Sequence, residues 1–159
     1  EENVKLNDRI SEYRYIHFAC HGLVDEQNPE NSSLVLSLLN TSVEDGFLQA
    51  SEISVLKLNA DMVVLSACET GLGKLIRGEG MIGLSRSFMY AGTPSLVVSL
   101  WSVSDISTSL LMREFYKNLT RKGLSKADAL QLTQIYMIKD EKYAHPFFWA
   151  PFVLTGDWK

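Results

Sequence analysis

The sequence predicts an α/β fold in which helices cover both faces of a mostly parallel sheet. Three observations carry this. Met62-Val63-Val64-Leu65 and Ser95-Leu96-Val97-Val98-Ser99-Leu100-Trp101 are short apolar runs rich in β-branched residues, the composition of strands covered on both faces. Segments of helical periodicity separate the strands, and such alternation makes parallel crossovers. The Met62 run stops at Cys68 and a turn holding Gly71 and Gly73. Open α/β sheets carry their ligand crevices outside such strand ends.

The elements follow in chain order. Leu6 to Ser11 reads as a helix tail or linker. Tyr13 to Ala19 is a strand by its aromatic and β-branched content, ending at Cys20-His21-Gly22. Gly22 to Asn31 is a polar loop. Ser33 to Ser37 is a strand, and Leu38 to Asp45 a polar excursion closed by Asp45-Gly46, a hairpin-type turn. Phe47-Leu48 begins the return strand. Ala50 to Leu56 is a short helix, with Ser51 and Glu52 suited to its first turn. Glu79 to Tyr90 is a helix with Met81, Ile82, Leu84, Phe88 and Met89 on its apolar face. Gly92 sits at its C-cap position and Pro94 forbids continuation. Asp105 to Asn118 is a helix with Leu110, Leu111, Phe115 and Leu119 inward, broken by Gly123. Ser125 caps a last helix running to about Ile138. Asp140 to Pro146 is a loop, and Phe147 to Leu154 a closing strand.

Composition excludes several functional classes. With 159 residues, 46% of them hydrophobic and 21% charged, the chain suits one domain with a sizeable core. A net charge of -4 argues against an electrostatic grip on nucleic acid or an anionic membrane. No run approaches the ~18 apolar residues of a membrane span. Two cysteines make no disulfide framework and point to a reducing compartment, so a cytoplasmic location is expected. Without a secretory signal, the Asn-x-Ser/Thr triplets at Asn31, Asn40 and Asn118 read as chance matches.

Cys68 and His21 are the leading chemical pair. Cysteine attack needs a thiolate, and a neighbouring imidazole supplies it by taking the proton. Both residues stand at strand ends, so the fold can bring them together. The alternative is an inert core thiol, the commoner fate of a lone cysteine. The backbone N–H groups of Gly22 and Cys68 are candidates for an oxyanion hole; the plainer role of Gly22 is to make the turn. Cys20 adjoins His21, and strand alternation sends it to the opposite face, into the core. That weakens a zinc reading from Cys20, His21, Cys68 and His145, which also lacks close ligand spacing. His17 reads as a buried, hydrogen-bonded structural histidine, and His145 as structural. Asp105 has two readings: a carboxylate beside the cleft for a basic side chain, or a helix start at which Ser104 or Asp105 is the cap, and by itself the cap is favoured. Glu69, Arg77 and Glu79 read as residues that order the glycine turn. Gly71-Leu72-Gly73-Lys74 lacks the spacing of a phosphate loop, and no G-x-S-x-G elbow is present. No cofactor or metal is expected.

Several strings together resemble the CHAT-domain family. They are His17-Phe18-Ala19-Cys20-His21-Gly22, Val64 to Gly71, Gly78-Glu79-Gly80, Ser99 to Asp105 and His145 to Phe152. The family is related to caspases, gingipains and separase, occurs mostly in bacteria and is often fused to tetratricopeptide repeats. Caspases place their histidine about 50 residues upstream of the cysteine; here the separation is 47. The resemblance implies a caspase-like three-layer α/β/α sandwich and a cysteine endopeptidase. It carries His21 over as general base, Cys68 as nucleophile, and the Gly22 and Cys68 amides as oxyanion hole. The Trp101–Asp105 string resembles the separase segment whose aspartate meets a basic residue before the scissile bond, which raises Asp105 as a specificity residue. Residues 1–159 are then expected to be a single peptidase domain, the C-terminal portion of a longer protein. A protein substrate and a tetratricopeptide-repeat or other regulatory segment are the implied partners. The rival reading is a non-catalytic, caspase-like interaction module.

Overall fold

The computed structural model describes residues 2–5, 8–25, 27–37, 45–66, 68–69 and 79–159. The glycine turn at 70–78, with Arg77, and most of the polar excursion, 38–44, lie outside the described residues. So do the side chains of Cys68, Glu69, Glu79, Met81 and Ile82.

Among the described residues, eight strands form two four-stranded sheets. The first has the order β1 (Tyr15–Phe18), β5 (Met62–Leu65), β7 (Ser95–Ser99), β8 (Phe152–Gly156). β1, β5 and β7 are parallel, and β8 is antiparallel to β7. The second has the order β4 (Phe47–Gln49), β3 (Ser33–Val35), β2 (His21–Leu23), β6 (Cys68–Glu69). β3 and β4 make the expected hairpin, and Gly46 at its turn takes φ 83°.

Helices lie on both faces of the first sheet. Every residue of β5 is buried, and alternation divides them between two cores. Val63 and Leu65 join Leu84 and Phe88 of α3 (Glu79–Tyr90), with Ala50 and Ile53 of α2 (Ala50–Ile53). Met62 and Val64 join Leu111 and Phe115 of α4 (Asp105–Tyr116) and Ala129 and Met137 of α5 (Lys126–Ile138). A fully buried aliphatic or aromatic side chain contributes roughly 1.5–3 kcal/mol. The layers are thus helix, sheet, helix. A four-residue helix, α1 (Glu2–Lys5), precedes them, and its Lys5 pairs with Glu52 of α2.

Local signals account for most helix ends. Ser104 caps α4, its Oγ accepting from Ser107 N–H at 3.3 Å. Ser125 caps α5, its Oγ accepting from Asp128 N–H at 3.1 Å. Gly92, at φ 107°, closes α3 where Thr93 N–H donates to Phe88 O at 3.1 Å. Gly123, at φ 65°, follows a π-helical turn over Lys117–Arg121 that extends α4. Asn118 in that turn is buried and donates to Thr133 Oγ1 at 3.1 Å, which rules it out as a sugar acceptor.

Three expectations change. Met89 is exposed rather than inward, in the last turn of α3, one residue from its end. The last strand begins at Phe152 instead of Phe147: Pro146 opens a 3-10 turn over Pro146–Phe148, and proline gives no N–H to a ladder. Gly22 belongs to a strand, not a loop, because the chain resumes extended pairing at His21.

Candidate functional site

The site lies where the β1–β5 strand pair passes from one sheet to the other as β2 and β6. β1 and β5 run parallel in register, ending with Phe18 opposite Leu65. Ser66 N–H donates to Phe18 O at 3.1 Å, the last bond before the break. Both chains then resume as a parallel pair, with His21 opposite Cys68 and Gly22 opposite Glu69. The histidine and the cysteine are therefore register partners on neighbouring strands, each the first residue of its strand. Gly22 is buried between Leu34 of β3 and Glu69 of β6.

A cleft of about 570 Å³ opens beside this break. His21, Asp105 and Cys20 line it, together with His17 and Ser66. Its far wall is one side of α4, carrying Thr108, Ser109, Met112, Arg113 and Tyr116. Spacings of three and four residues along that helix put these side chains on one face.

Each candidate has a definite place. His21 is exposed in the cleft. Asp105 is the first residue of α4, exposed, while Ser104 does the capping. Of the two residues the cap reading offered, Ser104 is the cap, and Asp105 in the first turn carries a charge that suits a helix N-terminus. His145 is structural: its Nδ1 accepts from Phe147 N–H at 3.2 Å.

Cys20 and His17 differ from expectation. Cys20 packs against the core but also lines the cleft with His21. Alternation does not separate the two because Cys20 lies in the break, outside both strands. Burial pushes its thiol up to about 11. His17 is hydrogen-bonded, as expected, but is exposed to the cleft rather than buried in the core. Its Nε2 joins Ser66 Oγ at 2.8 Å, tying β1 to β5 at the break. Its ring packs at 5.8 Å against Tyr116. Protein atoms on the inner side lower its pKa below the usual 6.5 by desolvation. The Tyr116 hydroxyl is buried and without a partner among the described residues, and burial raises its pKa to about 12. Arg113 and Tyr116 went unnoticed in the sequence; their signal was the helical spacing from Asp105, which shows only once α4 is known to face the cleft.

His17 gives a pH prediction. Its folded pKa is depressed, so the folded state binds fewer protons and stability is held above the unfolded pKa. Stability is expected to fall as pH drops through the region below 6.5. His17→Gln, which keeps a polar group toward Ser66, is expected to flatten that stretch of the curve in urea unfolding at pH 5.5 and 7.5. An unchanged slope would remove His17 as its source.

Among the described residues no group of three or more His, Cys, Asp or Glu side chains could hold a metal ion. Among the same residues no helix is long and apolar enough to cross a membrane.

Comparison with known proteins places these residues in context. The family model described as CHAT domain matches residues 1–157. Tetratricopeptide repeat protein 28 of Homo sapiens is 30% identical over 114 residues, 72% of this chain and 4% of that protein. The Mus musculus protein of the same name is 29% identical over 109 residues, 69% of this chain and 4% of that protein. The chain thus corresponds to a small fraction of the length of these relatives, both of them mammalian.

Proposed function

The chain belongs to the CHAT domain family, and on that premise we propose that it has a caspase-like sandwich and acts as a cysteine endopeptidase on a protein substrate. One observation carries the reading: His21 and Cys68 are register partners just past the ends of β1 and β5, and His21 lines a cleft there. Registered residues on neighbouring strands fall on one face of a ladder.

In this reading His21 takes the Cys68 thiol proton, and the thiolate attacks the carbonyl carbon of the scissile bond. The Gly22 and Cys68 amides receive the oxyanion. The C–N bond breaks as His21 returns its proton to the leaving amine. Water, deprotonated by His21, then hydrolyses the thioester and frees Cys68. Asp105, exposed at the rim of the cleft, receives a basic side chain before the scissile bond, bidentately if arginine. The parent protein carries a tetratricopeptide-repeat or other regulatory segment, a proposal supported by the names of the two relatives.

The test uses peptidyl electrophiles ending in arginine or in glutamine. The arginine reagent is expected to alkylate Cys68 at pH 7 about two- to fivefold faster, the preference of one exposed charge pair, and Asp105→Ala to erase the difference. Cys20 is expected to stay unlabelled, because a thiol held near 11 carries little thiolate at that pH. Labelling of Cys20 in place of Cys68, or of neither, would favour the non-catalytic interaction module.

A further inference from the structure

The cleft does not end at Tyr116. A second groove of about 580 Å³ begins on the other side of that residue, and Arg113 and Tyr116 line both. Its wall continues down the same helix to Lys117, Thr120 and Arg121, with Tyr136 of α5 opposite. Arg113, Lys117 and Arg121 recur every four residues, which stacks them along one side of α4 and its π-helical extension.

The groove is basic. Glu114 is its one acidic lining residue, and both of its carboxylate oxygens accept from Lys117 Nζ at 3.0 Å. That leaves the guanidinium groups of Arg113 and Arg121 as the excess charge. Both are exposed, and among the described residues neither enters an ion pair. Two uncompensated guanidiniums in a chain whose net charge is -4 are a local reversal of sign. Such a groove suits anionic groups, among them carboxylates, which arginine takes in a planar, two-bond geometry.

We propose that the groove receives an acidic segment of the protein substrate, continuous with the stretch that occupies the cleft. This rests on the peptidase reading of the cleft. Asp105 and Arg113 are eight residues apart on α4, about 12 Å at the helical rise. An extended chain covers that distance in about three to four residues. The helix wall thus offers a carboxylate at one end and guanidiniums at the other. A basic side chain at the cut and acidic side chains four or more residues away match it in sign and spacing. Tyr116, at the joint, lines both the cleft and the groove. Nucleic acid is the poorer match, since a phosphate backbone needs a longer basic track and would meet Asp105 in the same cleft.

The experiment measures binding apart from cleavage. Two fluorescein-labelled peptides share one arginine cleavage site and differ by a Glu-Glu-Glu or a Gln-Gln-Gln tract, placed in turn on either side of the arginine. Fluorescence anisotropy is read with the full chain carrying Cys68→Ala. The Glu peptide is expected to bind about five- to tenfold tighter in one of the two placements, the size of a few partly screened ion pairs. Arg121→Glu is expected to erase that difference and leave the Gln peptide unaffected. Lys57→Glu, an equal change of charge on the opposite side of the sheet, is expected to preserve it. Equal binding of the two peptides would overturn the proposal. So would a difference that Arg121→Glu spares or Lys57→Glu also removes, or a single-stranded oligonucleotide that displaces the Glu peptide as well as the unlabelled Glu peptide does. Cleavage by the unmutated chain with no influence of the tract removes the groove and leaves the peptidase reading standing. A tract preference that follows Arg121 with no cleavage of either peptide does the reverse.

Discussion

Replacing Cys68 or His21 by alanine is expected to lower peptide turnover by about 10³- to 10⁶-fold, and replacing both to cost no more than the worse single change. The size follows from the chemistry. Without the sulfur there is no acyl-enzyme, so one difficult displacement is no longer divided into two easier ones. Without the imidazole the thiol keeps its proton near neutral pH and the leaving amine departs without one. The lack of additivity follows from the two groups acting as one unit, since either alone has nothing to cooperate with. The register of His21 opposite Cys68 motivates the test. The measurement is kcat/KM on one cleavable peptide for the four proteins, with circular dichroism to confirm folding. Two independent, multiplying losses would dismiss the dyad, and so would mutants as fast as the unmutated chain.

Gly92→Ala is expected to destabilise the fold by about 2–4 kcal/mol, the combined cost of a strained backbone and an overpacked contact. For a chain of this size that is a fall in Tm of roughly 5–15 °C. Gly92 ends α3 at φ 107°, a conformation that side chains rarely adopt. A Cβ there would stand 2.4 Å from the Leu58 carbonyl oxygen, a backbone atom with nowhere to go. Leu58 is held because its own N–H donates to Ala91 O at 2.7 Å, and the segment leads directly into β5. Relaxing the clash therefore moves the end of α3 away from the central sheet. Gly123→Ala is the matched comparison. Its φ of 65° is also left-handed, but an added Cβ meets nothing within 4 Å. It is expected to cost only about 1 kcal/mol, the strain alone. Equal losses at the two glycines in thermal unfolding would show that the contact with Leu58 contributes nothing.

How much was legible follows from what each signal encodes. The all-buried β5 and β7 were readable because a strand covered on both faces is written as an unbroken apolar run. Ser104, Ser125 and Gly92 were readable because a cap depends on residues within one turn of itself. The last strand was misplaced because Phe147 and Phe148 are as apolar as the strand that follows, and Pro146 favours a 3-10 turn there. His17 and Cys20 were assigned to the core by composition and alternation. A break in β1 and a cleft on one side of it changed their surroundings without changing a residue.

The amino-acid order alone determined which segments are strands and helices, where most helices stop, and that a histidine and a cysteine each stand at a discontinuity in an apolar run. Those properties depend on neighbours a few positions away, and local periodicity records them. Only the tertiary structure decided that His21 lies opposite Cys68, that β8 runs antiparallel to β7, and that α4 turns Asp105, Arg113 and Tyr116 toward one cleft. Strand order and register are set by pairing and burial between segments distant in the chain, and the same local pattern is compatible with several such pairings.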